Sequence, residues 1–213
     1  MAEENRHDRE IEQLAAGAGL ALQEWTRVEM MLAHLFVSLL DRTRSAPVSG
    51  TPWEQVPQQR RLAHSLINSV VAFDARVDLV AAAIEESDLS DELNALWPPI
   101  EARLRKKYKS RHEAAHFLIE IQIYSDRPSE VFLFPFATTV TSGAVKKLTR
   151  ANLDHKAKQF IECGEALYWY RQRVELERGR RVARPIAEPA LVQRVRQSLE
   201  TQKQAAQSPP PQP

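Results

Sequence analysis

The segment KSRHEAAHF, residues 109–117, contains residue types that fit two different chemistries. His112, Glu113 and His116 spell H-E-x-x-H, in which two histidines four residues apart on a helix bind zinc and the glutamate polarises a bound water. Arg111, followed by the polar His112 and then by His116, instead places a guanidinium near an imidazole. Such a pair suits phosphate chemistry without a metal, because the guanidinium holds phosphoryl oxygens and the imidazole exchanges protons near neutral pH.

The zinc interpretation lacks a recognisable third ligand. Glu130 is too close along the chain, on a segment predicted to be irregular. Further carboxylates lie on the last predicted helix, outside any second motif: Asp154, Glu162 and Glu165. Zinc proteases also hold their substrates beside a sheet, whereas the chain before the motif is predicted to be helical. We therefore expect no metal cofactor, and a zinc hydrolase with His112 and His116 as ligands is the lesser alternative.

A dense basic run precedes the histidines. The stretch RLRKKYKSR, residues 103–111, supplies Arg103, Arg105, Lys106, Lys107, Lys109 and Arg111, with Tyr108 among them. Because the whole chain carries a formal charge of only +1, any attraction to nucleic acid has to be local. Clustered cations hold phosphates, and a tyrosine ring stacks on a base. The run predicts an RNA-binding surface, with a solvated helix face as the alternative.

Composition indicates a helical protein of a reducing compartment. Only 6 of the 213 residues are glycine, and the regular stretches are rich in residues that favour helix. The single cysteine, Cys163, excludes an internal disulfide. The charged N-terminus has no apolar signal core, and no apolar run approaches the roughly 20 residues of a membrane span. We expect a soluble cytoplasmic protein with no membrane partner.

Apolar periodicity predicts the helices that position the segment. A first long helix ends near Asp41, and a Pro/Gly/Ser connection (44–57) leads to a second helix. The third helix covers Ile100 to about Ile123 and holds the motif, after a kink or fresh start at Pro98-Pro99. The predicted inward faces are Ile11, Leu14, Ala18, Leu22, Trp25, Leu32, Phe36 and Leu39; Leu62, Leu66, Val70, Phe73, Val77, Val80 and Ile84; and, in a last helix capped by Thr149, Leu153, Ala157, Phe160, Gly164, Leu167 and Tyr168.

These elements predict an all-α fold, an antiparallel bundle of four to five helices over residues 8–178. Residues 124–148 are expected to form an irregular excursion or a short hairpin around the β-tending run Val131–Phe136. The extension 179–213 contains a short predicted helix at 189–202, and its Pro-rich end, QSPPPQP, is expected to be disordered.

The chain resembles HEPN-domain proteins, of the bacterial stand-alone type, over residues 8–178. The landmarks are Trp25 and Glu29 in EWTRVEMML, the helix FDARVDLVAAAI, Trp97 before the basic run, the Arg111-His112-x-x-x-His116 segment, and the last helix LDHKAKQFIECGEALYWY. The family usually has asparagine after the arginine, with aspartate or histidine allowed. A glycine often follows the histidine, and Phe117 in its place is expected to lengthen the helix.

The resemblance implies a dimeric, RNA-binding protein that cleaves RNA without a metal, in a toxin–antitoxin or phage-defence setting with a partner protein. In that chemistry the ribose 2′-hydroxyl attacks the adjacent phosphate and leaves a cyclic phosphate. His116 would be the general acid or base, Arg111 would stabilise the phosphoryl charge, and His112 would orient His116. The alternative is a non-catalytic interaction or nucleotide-binding module of the same fold.

Two further expectations concern the surroundings of the Arg/His pair. The predicted third helix is apolar on two sides, which favours a second copy as its partner: Ala114, Phe117, Leu118 and Ile121 lie on one side, and Ala115, Ile119 and Ile123 on the other. Glu29 falls where the first helix's apolar stripe requires a hydrophobic residue, so it needs a partner. Arg111 is the expected partner and supporting contact, with Arg76 as the alternative.

Overall fold

A computed structural model describes residues 2–41, 57–126, 129–135, 147–180, 182 and 184–207. In chain order the elements are α1 (Ala2–Leu40), α2 (Gln58–Ser69), α3 (Phe73–Glu85), α4 (Asp91–His116), β1 (Phe117–Gln122), β2 (Glu130–Pro135), α5 (Arg150–Glu177) and α6 (Ala190–Gln207). The protein is therefore mostly helical, as predicted, and it has one small hairpin whose second strand overlaps the β-tending run Val131–Phe136. Three predictions lie outside the described residues, wholly or in large part: the connection 44–57, the excursion beyond residue 135, and the Pro-rich end.

The chain divides into two compact units. Unit 1 comprises Met1–Val28 and Lys106–Ile161, and unit 2 comprises Glu29–Arg105 and Glu162–Pro213. The helices α1, α4 and α5 each contribute to both units. The region predicted as one helical domain, 8–178, supplies residues to both, and the C-terminal extension belongs to unit 2.

The core of unit 1 is formed by aromatic and aliphatic side chains. Its largest fully buried side chains are Trp25, Leu148, Leu153 and Phe160. Trp25 packs edge-on against Phe160 with ring centroids 5.2 Å apart. Gly17 permits a close approach of α1 to α5, because a Cβ at this position would lie 3.0 Å from Arg150 Cδ. These contacts hold the first helix against the last long one within this unit.

Unit 2 has a larger apolar core. Its buried members include Leu32, Leu35, Phe36, Ile67, Phe73, Val80, Leu93, Leu96, Trp97, Ile100, Leu104, Leu167, Tyr170 and Val192. Tyr170 lies 5.7 Å from Trp97, ring centroid to ring centroid, and its hydroxyl donates to the Leu93 carbonyl at 3.0 Å. Burial raises the pKa of the Tyr170 phenol far above its ordinary value, so this hydroxyl stays protonated and remains a donor.

The predicted second helix is two helices. The chain turns out of helical geometry at Val70, which is extended, and α3 begins at Phe73. Ser69 assists the break, because its hydroxyl donates to the Leu66 carbonyl at 2.7 Å and competes with the helical bond. In α2 the predicted inward residues are wrong: Leu62 and Leu66 are 62% and 49% exposed, whereas Ala63 and Ile67 are buried. From Phe73 onward the predicted stripe is confirmed.

The helix α4 passes through Pro98 and Pro99 without a fresh start. The prolines remove two intrahelical bonds, a cost of about 3 kcal/mol or more each in a helix interior. Buried apolar residues on both sides, Leu96, Trp97 and Ile100, hold the helix in place. Ser90 caps the start of α4, since its hydroxyl oxygen accepts a bond from the Leu93 N–H at 3.4 Å.

The prediction of helix through Ile123 is wrong. Helix α4 ends at His116, and Phe117 begins strand β1, which pairs antiparallel with β2. The residues FLIEIQI have both helical and alternating apolar spacing, and pairing with EVFLFP selects the strand. Phe117 therefore does not lengthen the helix. The argument for a dimer from a helix apolar on two sides also fails, since Leu118 and Ile123 lie outside the helix.

The ends of α5 are built as caps. Thr149 Oγ1 accepts the Asn152 N–H at 3.4 Å, which confirms Thr149 as the N-cap. Gly179 closes the other end with φ 71°, a left-handed conformation that favours glycine. There the Arg180 N–H bonds the Glu175 carbonyl and the Gly179 N–H bonds the Leu176 carbonyl, both at 2.9 Å. The predicted helix at 189–202 is confirmed as α6.

The arginines at the end of α5 hold the C-terminal end of α1. Arg178 Nη1 donates to the Ser38 and Leu39 carbonyls, each at 2.6 Å, and to the Asp41 carbonyl at 3.1 Å. Arg180 donates to the same Asp41 carbonyl and to Glu175 Oε2. The last four carbonyl groups of a helix have no hydrogen-bond donor within the helix. These guanidinium groups supply the missing donors, and their positive charge is favourable at the negative end of the helix dipole.

Candidate nucleic-acid interface

The candidate site lies on the last three turns of α4, residues 106–116, which belong to unit 1. One side of these turns carries exposed polar residues, namely Lys106, Lys109, His112 and His116. The opposite side carries Lys107 and Ala114, which are buried. The last three turns of α4 therefore have one side exposed to solvent and one side packed into the protein.

Aromatic and imidazole rings form a continuous column from the core of unit 1 to its surface. Trp25 contacts Tyr108 with centroids 5.8 Å apart, and Tyr108 contacts His112 at 4.8 Å. His112 then stacks on His116 at 5.6 Å with an interplanar angle of 16°. Trp25 is 1% exposed, whereas both histidines are exposed. The column fixes two near-parallel rings at the surface, where a base or a phosphate has access to them.

Arg111 is not brought to His116 within one chain. Five residues of helix separate their directions by about 140°. Arg111 is half-buried, and its Nε is buried without a hydrogen-bond partner in the described part of the chain. The structure records no hydrogen bond or ring contact between the two side chains among the residues it describes. The expected pair is therefore present in sequence, and its two members point in different directions.

Glu113 is held by a lysine that the sequence reasoning missed. Lys156 Nζ of α5 bonds Glu113 Oε2 at 2.5 Å, and the lysine side chain is 8% exposed. A lysine beside Ala157 on an inward apolar face is the available signal, because a buried ammonium requires an acidic partner. The sequence does not identify that partner. The ion pair fixes the rotation of the final turns of α4 about the helix axis within unit 1.

Lys107 also points inward and is tied to α5. Its Nζ bonds Gln159 Oε1, and Gln159 Nε2 lies 2.6 Å from His155 Nε2. Lys107 is 7% exposed, so it is a buried positioning residue in this structure and not part of the surface. Of the predicted RNA contacts in unit 1, Lys106 and Lys109 remain exposed and Tyr108 lies inside the ring column.

Arg103 and Arg105 are engaged in ion pairs of unit 2. Arg105 Nη2 lies 2.8 Å from Glu101 and 2.5 Å from Asp78, and Arg105 Nη1 lies 3.1 Å from Asp74. Desolvation acts against the charge, but these hydrogen bonds outweigh it and raise the pKa of Arg105. Arg103 lies 3.9 Å from Glu162. Both arginines have structural partners that an RNA phosphate would have to displace.

Glu29 pairs with the alternative partner. Arg76 Nη1 lies 3.7 Å from Glu29 Oε2, and both groups belong to unit 2. The residue that fills the buried position between Trp25 and Leu32 is Val28, which is 0% exposed, and Glu29 is half-buried beside it. The expectation that Glu29 occupies a position of the apolar stripe is wrong, because the preceding residue, Val28, occupies that position.

The zinc interpretation gains no support from the geometry. His112 and His116 do share a helix face, as the motif requires. Glu113, the residue that would polarise a water, instead pairs with Lys156. Within the described residues no three side chains of His, Cys, Asp or Glu are grouped so that they would hold a metal ion.

Two other histidines belong to unit 2. The rings of His34 and His64 meet edge-on with centroids 5.8 Å apart. The Nδ1 of His34 is buried without a hydrogen-bond partner among the described residues. Burial above all, with the charge of Arg171 and the proximity of His64, lowers the pKa of His34 to about 4. Cys163 is buried.

In the described residues, no helix combines the length and the apolar character needed to cross a membrane. No family model, curated protein or solved structure matches the chain. Any function must therefore be argued from the surface of α4 and from the resemblance in its sequence.

Proposed function

We propose that the chain binds single-stranded RNA on the exposed side of the last three turns of α4. The observation that carries this proposal is the near-parallel stack of His112 and His116, held at the surface by Tyr108 and Trp25. Exposed bases of single strands stack on such rings, and every base offers a ring face. A prearranged platform loses little rotational freedom when a base stacks on it.

The charges around the platform suit a phosphate backbone. Lys106 and Lys109 are exposed on the same helix turns, and Arg111 is half-buried on the same segment. With a formal charge of +1 for the whole chain, this local group is what would attract RNA. The surface is small, so recognition of a few nucleotides is expected, without the extended groove that a duplex needs.

Binding is tested by fluorescence anisotropy with a labelled single-stranded RNA and a duplex of the same sequence. His112→Ala and His116→Ala should each weaken binding of the single strand about tenfold, because loss of one base–ring stack costs about 1–3 kcal/mol. Lys109→Ala should weaken it less. Lys158→Ala is the matched control, since Lys158 is an exposed lysine of α5 in the same unit. If both histidine variants bind like the unaltered chain, the proposal is wrong.

RNA cleavage is a second proposal, and the resemblance to HEPN-domain proteins supports it. His116 would accept the proton of the 2′-hydroxyl, whose oxygen attacks the phosphorus, and Arg111 would stabilise the phosphoryl oxygens. The bond from phosphorus to the 5′-oxygen would break, and water would supply the proton to that oxygen, giving a 2′,3′-cyclic phosphate and a free 5′-hydroxyl. Because the two side chains diverge within one chain, this chemistry needs Arg111 to turn toward the histidine or to come from another copy. The toxin–antitoxin or phage-defence setting, with its partner protein, rests on the resemblance alone.

Cleavage is tested on the same single-stranded RNA and on a matched substrate that carries a 2′-deoxy substitution at the cut site. Cleavage that yields a cyclic phosphate, and that is lost in His116→Ala and on the deoxy substrate, supports the enzyme. Binding without any cleavage instead supports the alternative, a non-catalytic nucleic-acid-binding module of this fold. The divergence of Arg111 and His116 favours that alternative for a single chain.

A further inference from the structure

The outer edge of β1 is an unpaired strand edge with an apolar border. In the described residues the sheet has two strands, and β1 pairs with β2 alone. Residues 118–123 are all exposed, and the fractions for Leu118, Ile119, Ile121 and Ile123 are 56%, 36%, 39% and 78%. Proteins usually protect such an edge with charge, proline or a covering segment.

The direction of the backbone groups of β1 follows from the neighbour of β2. Leu133 exchanges two hydrogen bonds with Leu148, so its N–H and C=O point away from β1. Leu133 lies opposite Ile119 in the hairpin, and these two residues therefore form a non-hydrogen-bonded pair. Because these directions alternate along a strand, Ile119 and Ile121 present their N–H and C=O groups at the free edge. Extension of β1 by one residue on pairing would bring Ile123 into the same alternation.

The three isoleucines also share one face of the strand, since side chains alternate. The other face carries Glu120 and Gln122, and Gln122 accepts a bond from Lys147 Nζ at 2.7 Å. Lys147 also lies 4.1 Å from the ring centroid of Phe132 on that face. The edge therefore combines free backbone donors and acceptors with one β-branched face and one face that carries Leu118 together with the polar residues Glu120 and Gln122.

We propose that a second copy of this chain pairs antiparallel along this edge, with the two-fold axis at Ile121. In this register Ile121 faces Ile121 of the other copy, and Ile119 faces Ile123. With β1 extended to Ile123, all three positions have outward backbone groups, so each pair exchanges its hydrogen bonds. Cross-strand pairs of β-branched residues then cover the exposed apolar face.

Charge selects this register over its neighbour. Moving the two-fold axis by one residue, to Glu120, would still pair the outward backbone groups of Ile119 and Ile121, but it would place Glu120 opposite Glu120, which is unfavourable. With the axis at Ile121, Glu120 faces Gln122 of the other copy, beside the ammonium group of Lys147. The edge is thus complementary to itself in hydrogen bonding, shape and charge, which favours a second copy over an unrelated strand.

This dimer differs from the one that the resemblance implies. Two Phe117 residues, eight positions apart in this register, would stand about 26 Å apart at 3.3 Å per residue. Each His116 precedes its own Phe117, so the two histidines are not brought into one cleft by this pairing. The inference is independent of RNA binding, and neither proposal fails with the other.

Sedimentation velocity and light scattering on the full chain test the dimer. The unaltered chain should form a concentration-dependent dimer, and Ile121→Lys should be monomeric at the same concentrations because two ammonium groups would face each other. Ile161→Lys is the matched control, because Ile161 is an exposed isoleucine of α5 in the same unit and lies outside the proposed interface, and this variant should remain dimeric. A monomeric unaltered chain overturns the proposal, as does a dimer that survives Ile121→Lys with native circular dichroism.

Cross-linking tests the register without relying on a destabilised variant. Opposed residues of a hydrogen-bonded antiparallel pair have Cα atoms about 5.5 Å apart, within the range of a disulfide. Ile121→Cys should therefore oxidise to a covalent dimer, whereas Leu118→Cys should not, since it would face Tyr124 of the other copy. The native Cys163 is buried and does not compete. Equal cross-linking of both variants contradicts the register.

Discussion

At the scale of single residues, buried charge decides which parts of the candidate site are surface and which are support. Glu113→Gln leaves Lys156 buried and unpaired, because its ammonium loses the carboxylate that now accepts its bond. Breaking a fully buried pair costs about 3–5 kcal/mol, and the partial exposure of Glu113 reduces the expected loss to about 1–3 kcal/mol. Urea denaturation measures this loss. Glu165→Gln, at an exposed position of α5, should leave the midpoint unchanged.

His34 predicts a pH dependence of unit 2. Its pKa is lowered from 6.5 to about 4 in the folded chain, so the unfolded chain binds the proton more tightly. Stability from this group is therefore present above pH 6.5 and is lost as the pH falls toward 4. The free energy of unfolding, measured by urea titration across that window, should fall less in His34→Gln than in the unaltered chain. Parallel curves for the two proteins would refute this assignment.

At this scale the sequence identifies the residue types of the candidate site, but it does not determine which side chains contact each other. The spacing of His112 and His116 correctly predicts a shared helix face, because it depends on local periodicity alone. The partners of Glu29 and Glu113, which are Arg76 and Lys156, lie 47 and 43 residues away along the chain. Such pairings depend on how helices pack, and one sequence without tertiary information leaves several cations equally eligible.

At the scale of elements, the left-handed conformation of Gly179 at the end of α5 can be tested by substitution. Gly179→Ala places a Cβ at φ 71°, and such a left-handed residue costs about 1–2 kcal/mol. The strain should also loosen Arg178 and Arg180 from the end of α1, which adds to the loss. Gly19→Ala is the matched control, because Gly19 lies within α1 and nothing is within 4 Å of an added Cβ. Thermal unfolding should show a decrease for the first and an increase for the second.

The element boundaries show where local signals compete. Thr149 is correctly predicted as a cap, since a cap depends on three or four consecutive residues. The end of α4 at His116 is not predictable in this way, because FLIEIQI satisfies helical and strand periodicity alike. Its pairing with a strand that begins at Glu130 decides the outcome. The same boundary converts predicted helix faces into the exposed edge on which the dimer is proposed.

At the scale of the whole molecule, charge balance limits how RNA can be held. The chain has 29 basic and 28 acidic residues, so its near-neutral formal charge follows from composition, whereas the all-α fold is predicted from composition together with apolar periodicity. The division of the chain into two units does not follow from it, because three long helices serve both units and no linker composition marks the boundary. The basic run at 103–111 suggested six cations for RNA. Arg103, Arg105 and Lys107 have internal partners instead.

The remaining cations give a quantitative expectation for salt dependence. If Lys106, Lys109 and Arg111 neutralise three phosphates of a single strand, the logarithm of the binding constant should fall with the logarithm of salt with a slope of about −2. Lys109→Ala should change that slope by about 0.7, whereas His116→Ala should weaken binding with the slope retained, because stacking releases no counterion. Anisotropy titrations at several salt concentrations separate the two effects. A slope near −4 would mean that Arg103, Arg105 and Lys107 leave their structural partners for phosphate, and that the compact surface described for α4 is too small.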